Sequence, residues 1–221
     1  MGQGTDEAGL SYDEVRRWVS EFVVAIAENK AYLTELDSAI GDADHGINMN
    51  RGMQAAMAKL DGLIGDDIGG LLKTVGMTLV STVGGAGGPL YGTLFIQMGA
   101  PAAGKSRVTA EEWVAMLDSG IQGVIKRGKA EPNDKTMVDA LLPALEALRS
   151  ALADGLPLAD ALKRSAGAAE EGMKATIPLV ARKGRASYLG ERSAGHQDPG
   201  ATSSYLLLKA AAESIGSGSD G

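Results

Sequence analysis

Three aspartates stand close together in the segment DSAIGDADHGIN, residues 37–48, and they are the side chains here best suited to chemistry. Asp37, Asp42 and Asp44 would repel one another at neutral pH, so their proximity calls for a cation. They converge if Asp37 ends a helix and the turn at Gly41 folds the next segment back. Carboxylate oxygens suit a hard cation such as Mg²⁺ or Ca²⁺ rather than zinc or copper. The alternative is that each aspartate caps a helix or forms a turn.

The register of this segment excludes an EF-hand. Counted from Asp42, position 12 is Met53, where an EF-hand requires a bidentate glutamate. Magnesium usually keeps several waters and binds through a few carboxylates together with the phosphates of a substrate. The segment therefore predicts a magnesium site with room for a nucleotide.

Two further segments have the composition of phosphate-binding loops. The glycines of GGAGGP, residues 84–89, let backbone N–H groups approach a ligand, and the helix that follows would direct its positive N-terminus at an anion. In RKGRAS, Arg182, Lys183 and Arg185 concentrate positive charge, and arginine suits phosphate through its planar donors. A flexible turn and a solvated basic face are the respective alternatives.

A third glycine-rich segment, GAPAAGKS at residues 99–106, satisfies the Walker A pattern G-x-x-x-x-G-K-[ST]. A P-loop follows a buried strand, and its GK[ST] opens the next helix. Here the next helix is predicted to begin near Thr109, and no alternation of strands and helices surrounds the segment. We interpret it as a linker and expect no chemistry from Lys105.

Helices dominate the remainder of the chain. Ser11 with Glu14, and Thr109 with Glu112, form capping boxes, S/T-x-x-E, each followed by apolar residues three and four apart. Sustained period-two alternation is absent, so no strand is placed. The prediction is one all-α domain of about eight helices. Two of them begin at these caps, and the other six span about 48–60, 68–81, 90–99, 136–153, 157–175 and 201–214.

Length and composition limit the class of protein. The 221 residues fit one domain with a sizeable core, and the net charge of −7 argues against a nucleic-acid surface. The chain has no cysteine, which excludes disulfides, thiolate zinc and thiol catalysis. No run of about 18 apolar residues predicts a membrane span, and we expect a cytoplasmic protein. Residues 1–9 and 215–221 are interpreted as flexible ends of a domain at 10–214.

With these segments in view, the sequence resembles a known family, the nucleotide-binding L subunits of dihydroxyacetone kinases. The resemblance covers about residues 10–214. It rests on four motifs in order, DSAIGDADHGINMNRG, TVGGAGGPLYGT, NDKTMVDAL and KGRASYLGERSAGHQDPGATS. It implies an eight-helix antiparallel barrel with the nucleotide in loops at one end. Two departures are Gly87, where the family often has serine, and Asn133, where many members have glycine.

The resemblance also implies the site residues. Asp37, Asp42 and Asp44 match the ligands of two Mg²⁺ ions that bridge the nucleotide phosphates. The positions that match nucleotide contacts are His45, Gly46, Ile47, Asn48, Ala86, Gly87, Gly128, Met137, Arg185, Asp198, Pro199 and Gly200. No covalent nucleophile is implied, because phosphoryl transfer needs positioning and charge neutralisation rather than covalent help from the protein.

The implied function is half of a kinase that is active only with its partner. The subunit would retain ADP, a donor protein of the phosphoenolpyruvate phosphotransferase system would recharge it to ATP, and the phosphoryl group would pass to dihydroxyacetone held on a separate K subunit. Two alternatives stay open. One is an ATP-dependent kinase subunit for another ketose or tetrose, and the other is a nucleotide-loaded regulatory module that binds a transcription factor.

Overall fold

The computed structural model describes residues 9–215, and this part of the chain is helical, as predicted. Two three-residue strands and two 3₁₀ segments, Ala100–Ala102 and Arg185–Ser193, accompany nine α-helices. The strands are β1 (Gly9–Ser11) and β2 (Arg107–Thr109). The helices are α1 (Tyr12–Glu28), α2 (Lys30–Ile40), α3 (His45–Leu60), α4 (Ile68–Thr82), α5 (Gly87–Gly99), α6 (Ala110–Gly128), α7 (Val138–Ala153), α8 (Leu158–Ala175) and α9 (Pro199–Ser214).

The described residues hold one α-helix more than the predicted eight, because the first helical segment divides at Asn29. This residue leaves the helical conformation, with φ −95° and ψ 8°. Its side-chain Nδ2 donates to the carbonyl of Ala25 at 2.9 Å and so caps the last turn of α1. Asparagine often makes such local bonds to the backbone and thereby competes with helix continuation.

Both predicted capping boxes are present, and the two strands precede them directly. Ser11 caps α1 with Glu14, and Thr109 caps α6 with Glu112. Strands β1 and β2 pair antiparallel with Leu10 opposite Val108, so the sheet joins the beginnings of α1 and α6. Three residues are too few to show alternation, which is why the sequence did not reveal these strands.

Eight of the helices form a closed ring of contacts. Each of α3 to α9 packs against the next helix, and α1 contacts both α3 and α9, while α2 lies against α3 and α9. The ring of Trp18 on α1 lies 4.9 Å from that of Trp113 and 5.8 Å from that of Phe95, measured between centroids. The apolar face predicted for α1 is buried throughout.

The predicted flexible ends fall outside the described residues except at two positions. Gly9 pairs with Thr109 in the sheet, and Ile215 is buried. No helix within residues 9–215 is long and apolar enough to cross a membrane.

The fold has two ends, which α5 and α6 connect. The distal end contains β1, β2 and the distal loop, residues 99–106. The site end contains the beginnings of α3, α5, α7 and α9, which line one cavity together with the ends of α2 and α6. Helix α6 has 19 residues, so the two ends lie about 28 Å apart at a rise of about 1.5 Å per residue.

Candidate functional site

The carboxylate cluster is formed by Asp37, Asp42 and Asp44, each with one oxygen within 4.8 Å of the others. Asp37 lies in the last turns of α2 and is buried. Its Oδ2 accepts the backbone N–H groups of Asp44 at 2.8 Å and His45 at 3.1 Å, and these bonds fold the chain back over α2. A Cβ on Gly41 would lie 2.0 Å from Asp37 Oδ1, so a larger residue here would displace the buried carboxylate.

The donor set of the cluster fits a magnesium ion. All three side chains offer carboxylate oxygens, which is the ligand type of Mg²⁺ and Ca²⁺. Arg185 donates from Nε to Asp42 Oδ2 at 2.9 Å and offsets one of the three negative charges. Asp44 occupies the N-cap position of α3, yet its side chain makes no capping hydrogen bond there. A divalent cation would balance the charge that remains.

The predicted glycine-rich loop lies beside this cluster and leads into α5. Gly85 adopts φ +64°, and Ala86 precedes the first residue of the helix. A Cβ on Gly88 would lie 2.3 Å from the carbonyl oxygen of Val83, so the loop closes on itself only with glycine there. At Gly87, by contrast, a Cβ would meet its nearest atom at 3.4 Å. A small side chain would therefore fit at Gly87 at ordinary contact distance.

His45 begins a buried chain of polar side chains. Its Nε2 lies 2.9 Å from Ser203 Oγ, which lies 2.7 Å from Tyr91 Oη and 3.1 Å from the carbonyl oxygens of Pro199 and Gly200. Carbonyl oxygens only accept, so Ser203 is the donor in any bond to Pro199 or Gly200. Between His45 Nε2 and Ser203 Oγ the direction of donation follows the tautomer of the ring, and Tyr91 Oη also lies 3.1 Å from Ser204 Oγ.

The second nitrogen of His45 faces the glycine-rich loop. A Cβ built on Gly87 would lie 4.0 Å from Nδ1. Burial lowers the pKa of the imidazole below its ordinary value, although Asp37 and Asp44 act in the opposite direction. Burial therefore favours the neutral form of the imidazole beside this loop.

The beginnings of α7 and α9 complete the site. Asp198 caps α9 by accepting the Ala201 N–H at 2.7 Å. Burial raises the pKa of Asp198 to about 7, with the nearby charge of Asp139 as a further raising cause, while hydrogen bonds and Lys135 oppose the shift. A Cβ on Gly200 would lie 3.6 Å from the nitrogen of Met137, so the two helix beginnings meet closely.

Four helix N-termini thus line one cavity of about 1150 Å³. Each terminus carries unsatisfied N–H groups and the positive end of a helix dipole, an arrangement that attracts anions. The carboxylates of the cluster line the same cavity. This combination suits an anion that carries divalent cations, and a nucleotide with its magnesium is such a ligand.

Most of the residues predicted for the site line this cavity. Those that do are Asp37, Asp42, Asp44, His45, Asn48, Ala86, Gly87, Gly128, Met137, Arg185, Asp198, Pro199 and Gly200. Gly46 and Ile47 do not. A Cβ on Gly46 would lie 2.1 Å from the carbonyl oxygen of Lys30, so this glycine lets α3 approach α2. Ile47 is 46% exposed and lines a separate shallow groove with Lys30 and Glu35.

One cavity residue, Lys135, was not predicted from the sequence. It lies in the NDKT motif, and its side chain is 1% exposed although lysine is rarely buried. Its positive φ of 64° marks it as unusual as well. No sequence signal distinguished it from the chain's other lysines except its place inside a recognised motif.

Comparisons with known proteins agree with this geometry. The protein family described as the DAK2 domain matches residues 39–213. The chain is 48% identical over 200 residues to the PEP-dependent dihydroxyacetone kinase, ADP-binding subunit DhaL, of Escherichia coli, covering 90% of this chain and 95% of that protein. It is 45% identical over 192 residues to the corresponding ADP-binding subunit of dihydroxyacetone kinase 2 from Listeria innocua, covering 86% and 88%.

One solved structure extends the comparison to the fold. The dihydroxyacetone kinase from C. freundii, crystallised in complex with AMP-PNP and Mg²⁺, superposes with a TM-score of 0.69 and covers 97% of this chain. The two sequences are 24% identical, and this chain spans 36% of that longer chain. The likeness establishes the helical fold.

Proposed function

The chain belongs to the DAK2 domain family, and from this premise we propose that it is the ADP-binding subunit of a dihydroxyacetone kinase. The observation that carries the proposal is the carboxylate cluster facing four helix N-termini across one cavity. The high identity to named ADP-binding subunits, over nearly their whole length, supports the same assignment.

In this function the chain's residues hold and orient a nucleotide. Asp37, Asp42 and Asp44 would bind Mg²⁺ through carboxylate oxygens, and the N–H groups at the beginnings of α3 and α5 would bind phosphate oxygens. When bound, Mg²⁺ neutralises the negative charge that phosphoryl transfer must stabilise. Arg185 is placed to donate to a phosphate as well as to Asp42.

The proposal extends to two protein partners. A K-type subunit would hold dihydroxyacetone over the cavity and exclude water from the phosphoryl group, since hydrolysis would otherwise compete with transfer. A phosphoryl donor protein of the phosphoenolpyruvate phosphotransferase system would recharge ADP, and the name of the Escherichia coli relative, which calls that kinase PEP-dependent, supports this route. The ketose would thus contact the partner rather than this chain.

A coupled assay tests the proposal. The chain loaded with ADP and Mg²⁺ is mixed with a K-type subunit, dihydroxyacetone and a phosphoryl source, and dihydroxyacetone phosphate is measured. We expect turnover only in the complete mixture, and negligible ATP hydrolysis by the chain alone. Robust phosphorylation by the isolated chain would overturn the half-kinase assignment. Nucleotide retention without turnover in the complete mixture would favour the regulatory module, and turnover of erythrulose alone would favour a tetrose kinase.

A further inference from the structure

Lys135 extends its side chain into a shell of four backbone carbonyl groups. Its Nζ donates to the carbonyl oxygens of Thr176 at 2.7 Å, Leu179 at 3.1 Å and Ile177 at 3.3 Å, and also to that of His196. The first three carbonyls follow the end of α8, and the fourth lies two residues before Asp198. We call residues 176–198 the connecting segment, since they join α8 to α9. One ammonium group therefore holds both of its ends.

The loop that carries Lys135 is fixed independently of these bonds. The carboxylate of Asp139 accepts the N–H groups of Asn133 at 2.5 Å and Thr136 at 2.7 Å. Asn133 and Lys135 both adopt left-handed φ values, of 69° and 64°. Non-glycine residues hold such conformations only where the surroundings enforce them, and they concentrate at functional sites. The loop is thus built to direct the lysine inward.

The ammonium form of Lys135 is the form that this shell requires. Carbonyl oxygens only accept hydrogen bonds, and an ammonium group offers three donors. Burial lowers the pKa of Lys135, while the charge of Asp198 acts in the opposite direction. Loss of the ammonium would leave buried carbonyl oxygens without their donor, which is costly in a protein interior.

The connecting segment carries two residues of the proposed nucleotide site, Arg185 and Asp198. Between its ends it packs through a small apolar cluster of Ile40, Ala181 and Ala186, separate from the main core. Its ends are also joined by the Gly195 N–H to the Ile177 carbonyl at 2.7 Å and by the Asp198 N–H to Thr176 Oγ1 at 3.0 Å. The placement of Arg185 and Asp198 therefore depends on these bonds together with those of Lys135.

We propose that Lys135 is a positioning residue whose ammonium group, by binding both ends of the connecting segment, places Arg185 and Asp198 at the cavity. The inference rests on the proposed function, because it assigns Lys135 a role in nucleotide binding. Lys135 itself acts through the backbone of the segment.

The test uses the absence of cysteine from the chain. A Lys135→Cys variant carries a single thiol, which can be aminoethylated in denaturant to rebuild an ammonium group at nearly the length of lysine. Carbamidomethylation of the same thiol gives a matched neutral adduct. After refolding, ADP affinity is measured by calorimetry in the presence of Mg²⁺, and trypsin cleavage after Arg182, Lys183 and Arg185 is followed by mass spectrometry.

We expect the neutral adduct to bind ADP at least tenfold more weakly than wild type and to be cleaved in the connecting segment. The aminoethylated protein should recover affinity to within about threefold and resist cleavage. A Lys105→Met variant, which removes a lysine paired with Glu112 at the distal end, should behave as wild type in both measurements. If the neutral adduct fails to refold while the aminoethylated protein folds and binds ADP, the requirement for the ammonium is supported in its strongest form.

Equal ADP affinity of the neutral and aminoethylated proteins would overturn the inference, as would equal resistance to trypsin. Failure of the proposed function gives a different result. In that case unmodified wild type would not bind ADP, while the trypsin measurement would still report whether Lys135 holds the segment.

Discussion

The two ends of the helical ring carry loops of similar composition that are built for different purposes. Each end has glycines in its loops, an aspartate at the N-cap of a neighbouring helix and a basic side chain. At the distal end these groups bind one another. Asp67 accepts the Gly104 N–H at 2.7 Å, and Lys105 Nζ lies 2.5 Å from Glu112 Oε1. The distal loop is thus satisfied from within the protein.

At the site end the corresponding groups face a shared cavity. Asp44 lies within 4.8 Å of two other carboxylates instead of accepting a bond from the loop. The N-termini of α3 and α5 also open onto that cavity. A glycine-rich sequence with a lysine therefore does not identify a phosphate site by itself. What identifies one is charge and backbone N–H groups that the protein leaves for a ligand.

The largest expected effect comes from replacing one N-cap aspartate at each end. Asp44→Asn removes a negative charge from the carboxylate cluster, and we expect ADP affinity in Mg²⁺ to fall about 100-fold, or about 2.7 kcal/mol. Asp67→Asn keeps an oxygen that can accept the Gly104 N–H and should leave affinity within twofold. Calorimetry on both variants measures the contrast. Full retention of ADP by Asp44→Asn would remove the basis for the metal site.

The second contrast concerns one glycine from each loop. In Gly88→Ala the new Cβ would meet the Val83 carbonyl oxygen at 2.3 Å, and we expect the free energy of unfolding to fall by about 2 kcal/mol. Gly104 adopts φ +74° but has no atom within 4 Å of the added Cβ. Gly104→Ala should therefore cost only the conformational strain of about 1 kcal/mol. Urea titration measures the free energy of unfolding of both variants, and equal losses would contradict this account of the glycine-rich loop.

The third contrast is in pH dependence. Burial raises the pKa of Asp198 from 3.8 to about 7, so the folded protein holds this proton more tightly than the unfolded chain. The stability from this group is complete below about pH 4 and is lost as pH rises towards 7. Between pH 5 and 6.5 the free energy of unfolding of wild type should fall by about 1–2 kcal/mol relative to that of Asp198→Asn. This variant retains a side-chain oxygen that can cap α9. Urea titrations at both pH values measure it, and parallel curves would rule out the raised pKa.

Glu112 at the distal end should make stability depend on pH in the opposite direction. Its hydrogen bond with Lys105 lowers the pKa of the carboxyl below its ordinary value. The stability that it contributes is present above the unfolded pKa and is lost as pH falls. Glu112→Gln should therefore change the acid side of the stability profile, while Asp198→Asn changes the side between pH 4 and 7. A profile altered in the same range by both variants would contradict this difference between the ends.

Local signals in the sequence predicted most of the framework and the main parts of the cavity. The caps at Ser11 and Thr109 were correct because capping depends on residues within one helical turn. The proximity of Asp37, Asp42 and Asp44 followed from a turn of only a few residues at Gly41. These predictions needed no knowledge of distant packing.

Long-range contacts account for what the sequence did not predict. Lys135 is buried because carbonyls some 40 to 60 residues further along the chain surround it. The nucleotide contacts expected of Gly46 and Ile47 stay a prediction. Gly46 packs against Lys30 and the Ile47 side chain is exposed, because both lie on faces of α3 that do not line the cavity. Tertiary packing determines which face of α3 lines the cavity, and no local sequence pattern indicates it.

The smallest expected effect is at Lys105, where the sequence most resembles a nucleotide-binding loop. The residues before it form the end of α5 and a 3₁₀ turn rather than a buried strand, and α6 begins at Ala110, four residues after Ser106. The ammonium is paired with Glu112 and lies outside the residues that line the cavity. Lys105→Ala should therefore leave ADP affinity within about twofold, below about 0.5 kcal/mol. Its half-exposed ion pair should contribute at most about 1 kcal/mol to stability. A hundredfold loss of ADP affinity by calorimetry would instead place the nucleotide at the distal end, and the difference between the two loops would then be reversed.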